Sequence, residues 1–431
     1  MTERAPAPSP PALSLEQAIG CLSEYDPQAV PVDDACRVIA RMLQPVQAVE
    51  RLAVRAALGR VLASAVMSPI DVPAHDNSAM DGYAVRHADL HPDSPTRMRV
   101  AGVALAGRPL AVVPQPGEAV RVMTGAVMPE GTDTVVMQEV ARAEDGFVMI
   151  PPGQQAGQNR RLRAEDLRTG TPALDAGRIV RPADLGLLAS LGIAEVPVRR
   201  RLRVAFFSTG DELRSVGEPL APGQVYDSNR YTLFGMLTRL DVELIDMGVV
   251  PDDPDALERA VRTAAGCADA IVSSGGVSVG EADFTRDIMA RLGEVAFWTI
   301  AMRPGRPLAF GRIGDAFYFG LPGNPVAVMI SFYFFVRPAL LRLMGAAPAA
   351  PLFTRARSAE AMRKKPGRTE YQRGIVEPDG EGALTVRTTG SQGSGVLRSM
   401  SRANCIVVLH HDQDSVAVGG WVDCLLFDGL V

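Results

Sequence analysis

The residues best equipped for chemistry in this 431-residue chain fall in four strings, each following an apolar run that reads as a strand. They are Ser208-Thr209-Gly210-Asp211-Glu212, Val250-Pro251-Asp252-Asp253-Pro254, the run from Ser273 to Asp283 (SSGGVSVGEAD), and Gly320-Leu321-Pro322-Gly323-Asn324-Pro325. The glycines of the third string let backbone N–H groups approach an anion, with the hydroxyls of Ser274 and Ser278 nearby. It is neither a Walker A loop nor a GxGxxG fingerprint, which speaks against kinase and dehydrogenase chemistry; a tight strand-to-helix turn explains it equally well. Asp253 is accounted for as a helix cap. Glu212, Asp252 and Asp283 are not, and three carboxylates around a phosphate-sized pocket suit a hard cation such as Mg²⁺. The alternative is three separately solvated loop acids. Arg303-Pro304-Gly305-Arg306-Pro307 holds two guanidinium groups around a rigid turn, a geometry for oxyanions or simply an exposed basic turn.

Other chemistries have little support. The five histidines form no HExxH, and no Ser–His–Asp set stands out. Cys21, Cys36, Cys267, Cys405 and Cys424 are odd in number and scattered without a CxxC, so neither a zinc ribbon nor a disulfide framework is expected, and a reducing cytoplasm is the natural setting. The formal net charge of −5 argues against a general nucleic-acid binder. The most apolar run, Val326–Val336, is too short to span a bilayer and is followed by Arg337 and Pro338, so no membrane association is expected. Its stripe of Met329, Phe332, Phe335 and Val336 reads as core or subunit interface.

The elements that must carry the four strings are legible. Val204–Ser208, Val242–Ile245, Ala270–Ser273 and Tyr318–Gly320 read as strands. Between them, Asp227 or Ser228 caps a helix with Leu233, Leu237 and Leu240 on its apolar face. Asp253 caps a second helix with Pro254 in its first turn, ended by Gly266, and Phe284, Ile288 and Leu292 mark a third, stopped by Gly293. Asn324 and Pro325 open a long apolar helix, kinked near Pro338. Strands alternating with helices predict a doubly wound parallel sheet, whose site lies beyond the strand C-termini.

On either side the texture changes. Ser14–Gly20, Pro31–Leu43 and Pro182–Leu191 read as helices. Met98–Val103, Ala119–Met123, Thr134–Glu139 and Phe147–Ile150 are short strands between Gly/Pro breaks, a small β-rich insert. After Pro351, Thr369–Glu377, Ala383–Thr388, Cys405–Leu409 and Trp421–Phe427 make a C-terminal β domain. The fold class is therefore multidomain α/β plus β. The expected division is a disordered tail at 1–13, a discontinuous elongated domain I at 14–70 and 165–201, domain II at 71–164, domain III at 202–350 and domain IV at 351–431.

Taken in order, these segments resemble one family, the MoeA molybdopterin molybdenumtransferases, represented also by the gephyrin E domain. The matching strings are Asp76–Ala84 (DNSAMDGYA), Met123–Gly125 within RVMTGA, Ser208–Glu212 (STGDE), Tyr226–Asn229 (YDSN), Pro251–Pro254 (PDDP), Ser274–Asp283 (SGGVSVGEAD), Arg303–Pro307 and Leu321–Pro325 (LPGNP). Eight strings in order are highly specific.

The resemblance implies insertion of molybdenum into adenylylated molybdopterin, with molybdate and Mg²⁺ consumed or required and AMP released. It also implies a homodimer of four-domain subunits with a molybdopterin-binding α/β domain, a β-rich insert whose residues complete the partner's cleft, and a terminal β barrel. The molybdopterin adenylyltransferase and acceptor molybdoenzymes would be its protein partners. By position, the resemblance makes Asp81, Thr124, Asp166, Glu212, Asp252 and Asp283 functional, the last three as metal ligands. Ser208, Thr209, Gly210, Asp227, Ser228, Asn229, Ser274, Gly275, Gly276, Ser278, Gly280, Pro322, Gly323 and Pro325 would shape the pterin cleft, and Arg303, Arg306, Arg368 and Ser399 the molybdate pocket. Three positions depart from the family pattern: Arg303 and Arg306 stand where lysine is usual, and Ala327 where serine is common. A related oxyanion such as tungstate, a gephyrin-like peptide-binding scaffold and a molybdopterin adenylyltransferase are the competing expectations.

Overall fold

The computed structural model describes residues 13–20, 22, 25–277 and 283–430, without the side chains of 283 and 284. The expected tail, Cys21, Ser278 and Gly280 lie outside the described residues. By its contacts the chain divides into two units: 64–176 with 182–196, and the remainder.

The larger unit is organised by a six-stranded sheet in the order Glu243–Val250, Arg203–Thr209, Ala270–Ser274, Ala316–Leu321, Pro307–Ile313, Gly293–Thr299. The first four strands are mutually parallel, as expected. The last two are not: Pro307–Ile313 runs antiparallel to both neighbours, so the sheet is mixed rather than wholly parallel. The cause is local. Ile313 pairs with Ala316 across Gly314-Asp315, a two-residue hairpin that leaves no room for a crossover helix.

The helices follow the capping chemistry. Asp227 accepts a hydrogen bond from the Arg230 N–H at the start of Ser228–Thr238, and Asp253 accepts one from Ala256 N–H at the start of Pro254–Cys267. Gly266 does not end that helix, which runs one residue past it before Ala268 turns extended. A single interior glycine weakens a helix by only about 1 kcal/mol, less than the packing of Leu257, Val261 and Ala264 supplies.

The apolar helix also departs from expectation. It spans Pro325–Leu343 as one element, long and apolar enough to cross a membrane by length and composition, yet 67% of it is buried within the protein. Val326, Val328, Ile330, Phe332, Phe335 and Val336 all join the main core, so its apolarity is explained without a subunit interface. Near Pro338, where a kink is expected, the α-helical pattern changes. Phe332–Val336 forms a π-turn, with the Arg337 N–H donating to Phe332 O. Pro338 cannot donate to Phe334 O, and the Cys36 thiol donates to that carbonyl instead (3.5 Å).

The C-terminal part closes on itself. Strands Thr369–Pro378, Leu384–Thr388, Thr354–Ser358, Trp421–Leu426 and Cys405–Leu409 pair in that order, and the last pairs back to the first, making a five-stranded barrel. Met302–Arg303 adds parallel to Thr369–Glu370 and joins the α/β part to the barrel wall.

The smaller unit is built on a second six-stranded sheet, in the order Thr134–Met137, Gly82–Val85, Glu118–Val122, Thr96–Ala104, Phe147–Ile150, Arg142–Glu144. The expected strands are present. Gly82–Val85, within the polar string, is an additional central strand, and a Cβ at Gly82 would collide with the Val136 carbonyl of its neighbour. Alternation places Tyr83 and Val85 on one apolar face and Ala84 on the other.

Candidate functional site

Register fixes where the four strings emerge. Ser208 pairs with Ser274, Ser274 with Leu321, and Thr209 with Val250, so all four loops leave the sheet at one edge. The winding direction reverses between Arg203–Thr209 and Ala270–Ser274, where an open α/β sheet places its ligand crevice. Gly275 sits at this point with φ +95°, and a Cβ there would come 2.6 Å from Thr209 O and 2.7 Å from Thr209 Oγ1. Only glycine lets the loop pass over Thr209.

The motif residues bind the loops to one another. Buried Ser208 donates to Asp227 Oδ1 (2.9 Å). Asn229 Nδ2 donates to Ser274 Oγ (2.8 Å) and Gly323 O (2.6 Å), and Ser274 Oγ donates to Pro322 O (3.3 Å). Four separate strings thus form one hydrogen-bonded rim, with Ser228 and Pro325 in the first turns of the helices that leave it. Asp227 Oδ2, Asn229 Oδ1 and Thr209 Oγ1 are buried in this rim without a partner.

The acids lie just outside it. The Glu212 carboxylate folds back over Gly210, and the Asp252 N–H donates to Asp211 Oδ1 (3.2 Å), so the loops after two paired strands touch. Glu212 and Asp252 are exposed. Their oxygens are the right class for a hard cation. No cluster of three acids, histidines or cysteines able to hold a metal forms among the described residues, and the Asp283 side chain is not among them.

A second feature is a cavity of about 330 Å³, lined among others by Arg303, Pro304, Glu360, Glu370, Arg373 and Gln392. Arg373 is fully buried. Its Nε donates to Ser399 Oγ (3.0 Å), and a terminal nitrogen donates to Gly393 O (3.0 Å) and Ser391 O (3.4 Å), all neutral acceptors. Gln392 clamps its backbone on both sides. Burial, and next the nearby Arg303, lower the guanidinium to about 10, so it remains a cation at neutral pH.

Ser399 does not line the cavity itself but holds Arg373, which does. Arg368 instead forks onto Glu370 Oε1 (2.9 and 2.6 Å). Arg306 is exposed and does not line the cavity. Ala327 has no hydroxyl, but Ser331, one helical turn on, is fully buried with its Oγ unpartnered. A Cβ on Gly305 would lie 2.7 Å from that Oγ, so Ser331 packs against the turn that carries Arg303. Sequence reasoning missed Arg373, Glu370 and Ser331. Glu370 alone falls in an alternating polar pattern, that of Arg368, Glu370 and Gln372; Arg373 and Ser331 carry no local signal.

In the smaller unit, Asp81 and Thr124 meet although 43 residues apart. Thr124 donates to Asp81 Oδ1 from its N–H (2.7 Å) and its hydroxyl (2.8 Å). These two bonds, the backbone one first, hold the Asp81 carboxyl below its ordinary range. Asp166 is exposed, and its N–H donates to Val72 O. The segment carrying it is tied to the polar string by Arg163 N–H donating to Asp76 Oδ1 (2.8 Å) and by Arg160 pairing with Ser78.

A doubly wound α/β sheet with a glycine-built crevice, joined to a small barrel with an arginine-lined cavity, defines a multidomain α/β-plus-barrel class of protein. Three family models match: the MoeA N-terminal region (domains I and II) over residues 30–192, a probable molybdopterin-binding domain over 205–342, and the MoeA C-terminal region (domain IV) over 355–427. The chain is 42% identical over 384 residues to the molybdopterin molybdenumtransferase of Haemophilus influenzae, covering 89% of this chain and 95% of that protein. It is 40% identical over 373 residues to that of a Nostoc species, covering 84% and 85%. Its fold matches the crystal structure of a molybdopterin biosynthesis MoeA protein from Pyrococcus horikoshii with a TM-score of 0.81 at 28% identity, over 93% of this chain and all of that one. The chain belongs to the MoeA family.

Proposed function

We propose that this protein is the molybdopterin molybdenumtransferase of molybdenum-cofactor biosynthesis, inserting molybdate into adenylylated molybdopterin with Mg²⁺-dependent release of AMP. The observation that carries this is Arg373: a charged, fully buried guanidinium bonded only to neutral oxygens, lining a cavity with Arg303. A buried cation without an acid is costly unless an anion joins it, and a tetrahedral dianion fits 330 Å³.

In this reading the α/β crevice takes the adenylylated pterin. Gly275 and Gly276 allow backbone N–H groups to face its phosphates, and the rim of Ser208, Asp227, Asn229 and Ser274 holds the loops in register. Mg²⁺, held by Glu212, Asp252 and Asp283, would neutralise charge on the pyrophosphate. Ser399 orients Arg373, and Arg303 meets the oxyanion from the opposite strand of the pair.

A homodimer, the four-part domain division, a cytoplasmic setting, and exchange with the adenylyltransferase and acceptor molybdoenzymes belong to the same reading. Tyr226, Tyr231 and Phe234 support the dimer, as an apolar face exposed around one helix. Unpaired Cys36, Cys267, Cys405 and Cys424 suit a reducing compartment. Asp81 and Thr124 would complete the partner's cleft. The test is to supply purified protein with adenylylated molybdopterin, Mg²⁺ and molybdate and to follow AMP. Release that needs both the metal ion and molybdate is expected; release indifferent to molybdate would overturn the proposal.

A further inference from the structure

We infer that Glu370 is a catalytic residue, the proton relay of molybdenum insertion. This rests on the molybdenumtransferase reading above and adds a role to a residue no motif singled out.

The chemistry sets the requirement. Joining a dithiol to the tetrahedral molybdate dianion breaks two S–H bonds and one Mo–O bond and forms two Mo–S bonds. The departing oxide leaves as water, having gained both thiol protons. Molybdenum stays hexavalent, so no oxidant or reductant is needed. A group beside the oxyanion that takes a proton from sulfur and returns it to oxygen shortens that path.

The cavity narrows the choice. Arg303 and Arg373 can hold the anion but cannot accept a proton, since even the buried Arg373 stays charged. Tyr371 is a poor base because burial raises its hydroxyl well above the ordinary value. Neither histidine nor cysteine lines the cavity, which leaves Glu360 and Glu370.

Glu370 is the better placed of the two. It pairs in register with Arg303 and lines the same cavity as Arg373. It is 3% exposed, so a proton it takes is not lost at once to bulk water. Oε1 receives both bonds from Arg368, which fixes the carboxylate, while Oε2 has only a long contact from Gln372 Nε2 (3.4 Å). Glu360 is more exposed, and its Oε1 is taken by the Thr388 N–H (2.7 Å). Arg368 is thus a positioning residue, acting through Glu370.

Glu370→Gln keeps the shape and the acceptor for Arg368 but cannot carry the proton. It also removes a negative charge beside a dianion. Turnover should fall by roughly 100-fold, the lower end for general acid–base catalysis, while calorimetry with molybdate alone shows affinity unchanged or tighter. Formate should restore part of the turnover to Glu370→Ala. A merely structural role predicts the reverse: turnover and affinity falling together, with no formate rescue, and that result overturns the proposal. So does unchanged turnover in Glu370→Gln. If wild-type protein inserts no molybdenum, the underlying function is refuted, and this role with it.

Discussion

Arg373, on strand Thr369–Pro378, and Arg368, just before it, make opposite predictions. Arg373 lies in the cavity wall hydrogen-bonded only to neutral oxygens, so Arg373→Met removes a charge-assisted contact to the oxyanion. Such a contact is worth about 1.5–3 kcal/mol net, which weakens molybdate roughly 10- to 150-fold. Stability should move little. Three neutral acceptors each lose one donor, but the substitution also removes a buried charge of similar volume, and the two effects oppose. Arg368→Ala does the opposite. It leaves the Glu370 carboxylate, 4% exposed, without its ion-pair partner. Breaking a fully buried pair costs about 3–5 kcal/mol, and the 36% exposure of Arg368 reduces that. Arg368→Ala should therefore lower the melting temperature while leaving molybdate affinity close to wild type. Calorimetric titration of molybdate with pterin saturating, beside thermal melts of both variants, separates the two. If Arg368→Ala weakens molybdate tenfold and Arg373→Met does not, the cavity has been assigned to the wrong arginine.

Three further outcomes follow from the geometry. Gly275→Ala should destabilise the fold by about 1–3 kcal/mol and impair binding of the adenylylated pterin, because φ +95° is strained and the methyl meets Thr209 O; denaturant melts and a binding titration check both. Mixed Asp81→Ala and Asp283→Ala subunits should regain some AMP release, since one cleft of a heterodimer keeps both acids; no recovery despite verified exchange would mean each cleft comes from one chain. Asp71 is held to about 2 from 3.8, chiefly by the N–H and hydroxyl of Thr169 and then by Arg163, so its folded-state value is depressed. Its stabilisation is full above pH 3.8 and fades as pH falls toward 2, and the stability gap between wild type and Asp71→Asn should close over that window.

What could be read from sequence was set by local rules. Asp253 and Pro254 announce a helix by capping chemistry alone, and the Gly275 string announces a strand-to-helix turn. The edge strand Gly293–Thr299 and its neighbour Pro307–Ile313 were missed because each begins on a residue that signals a break, Gly293 and Pro307. Gly293 looks like a helix stop, which it is, and nothing local says that a strand begins on the same residue. The carbonyl of Phe334 that Pro338 leaves without its usual donor is met by Cys36, 298 residues away from it in sequence. The motifs brought the rim of the α/β crevice into view, since Ser208, Asp227, Asn229 and Ser274 hydrogen-bond in pairs. The second cavity was harder, because seeing that Arg373 lines it requires knowing which face of strand Thr369–Pro378 meets the helices.

That face is fixed by the barrel. A Cβ at Gly374 would touch Cys405, Val407 and Val386, and Val376 packs in the barrel core, so these two positions point inward. Tyr371 and Arg373 point outward, Tyr371 stacking on Phe334 of the long helix at 4.0 Å between centroids and Arg373 reaching Ser399. A one-residue slip of this strand would exchange the two faces, sending a guanidinium into an apolar barrel. The register is held by the closed ring of strands and by the parallel pairing of Met302–Arg303 with Thr369–Glu370. That same pairing sets Arg303 opposite Glu370. The proposed anion-binding pair and the proposed proton relay are therefore positioned by one backbone contact between the α/β part and the barrel, and weakening it should disturb both together.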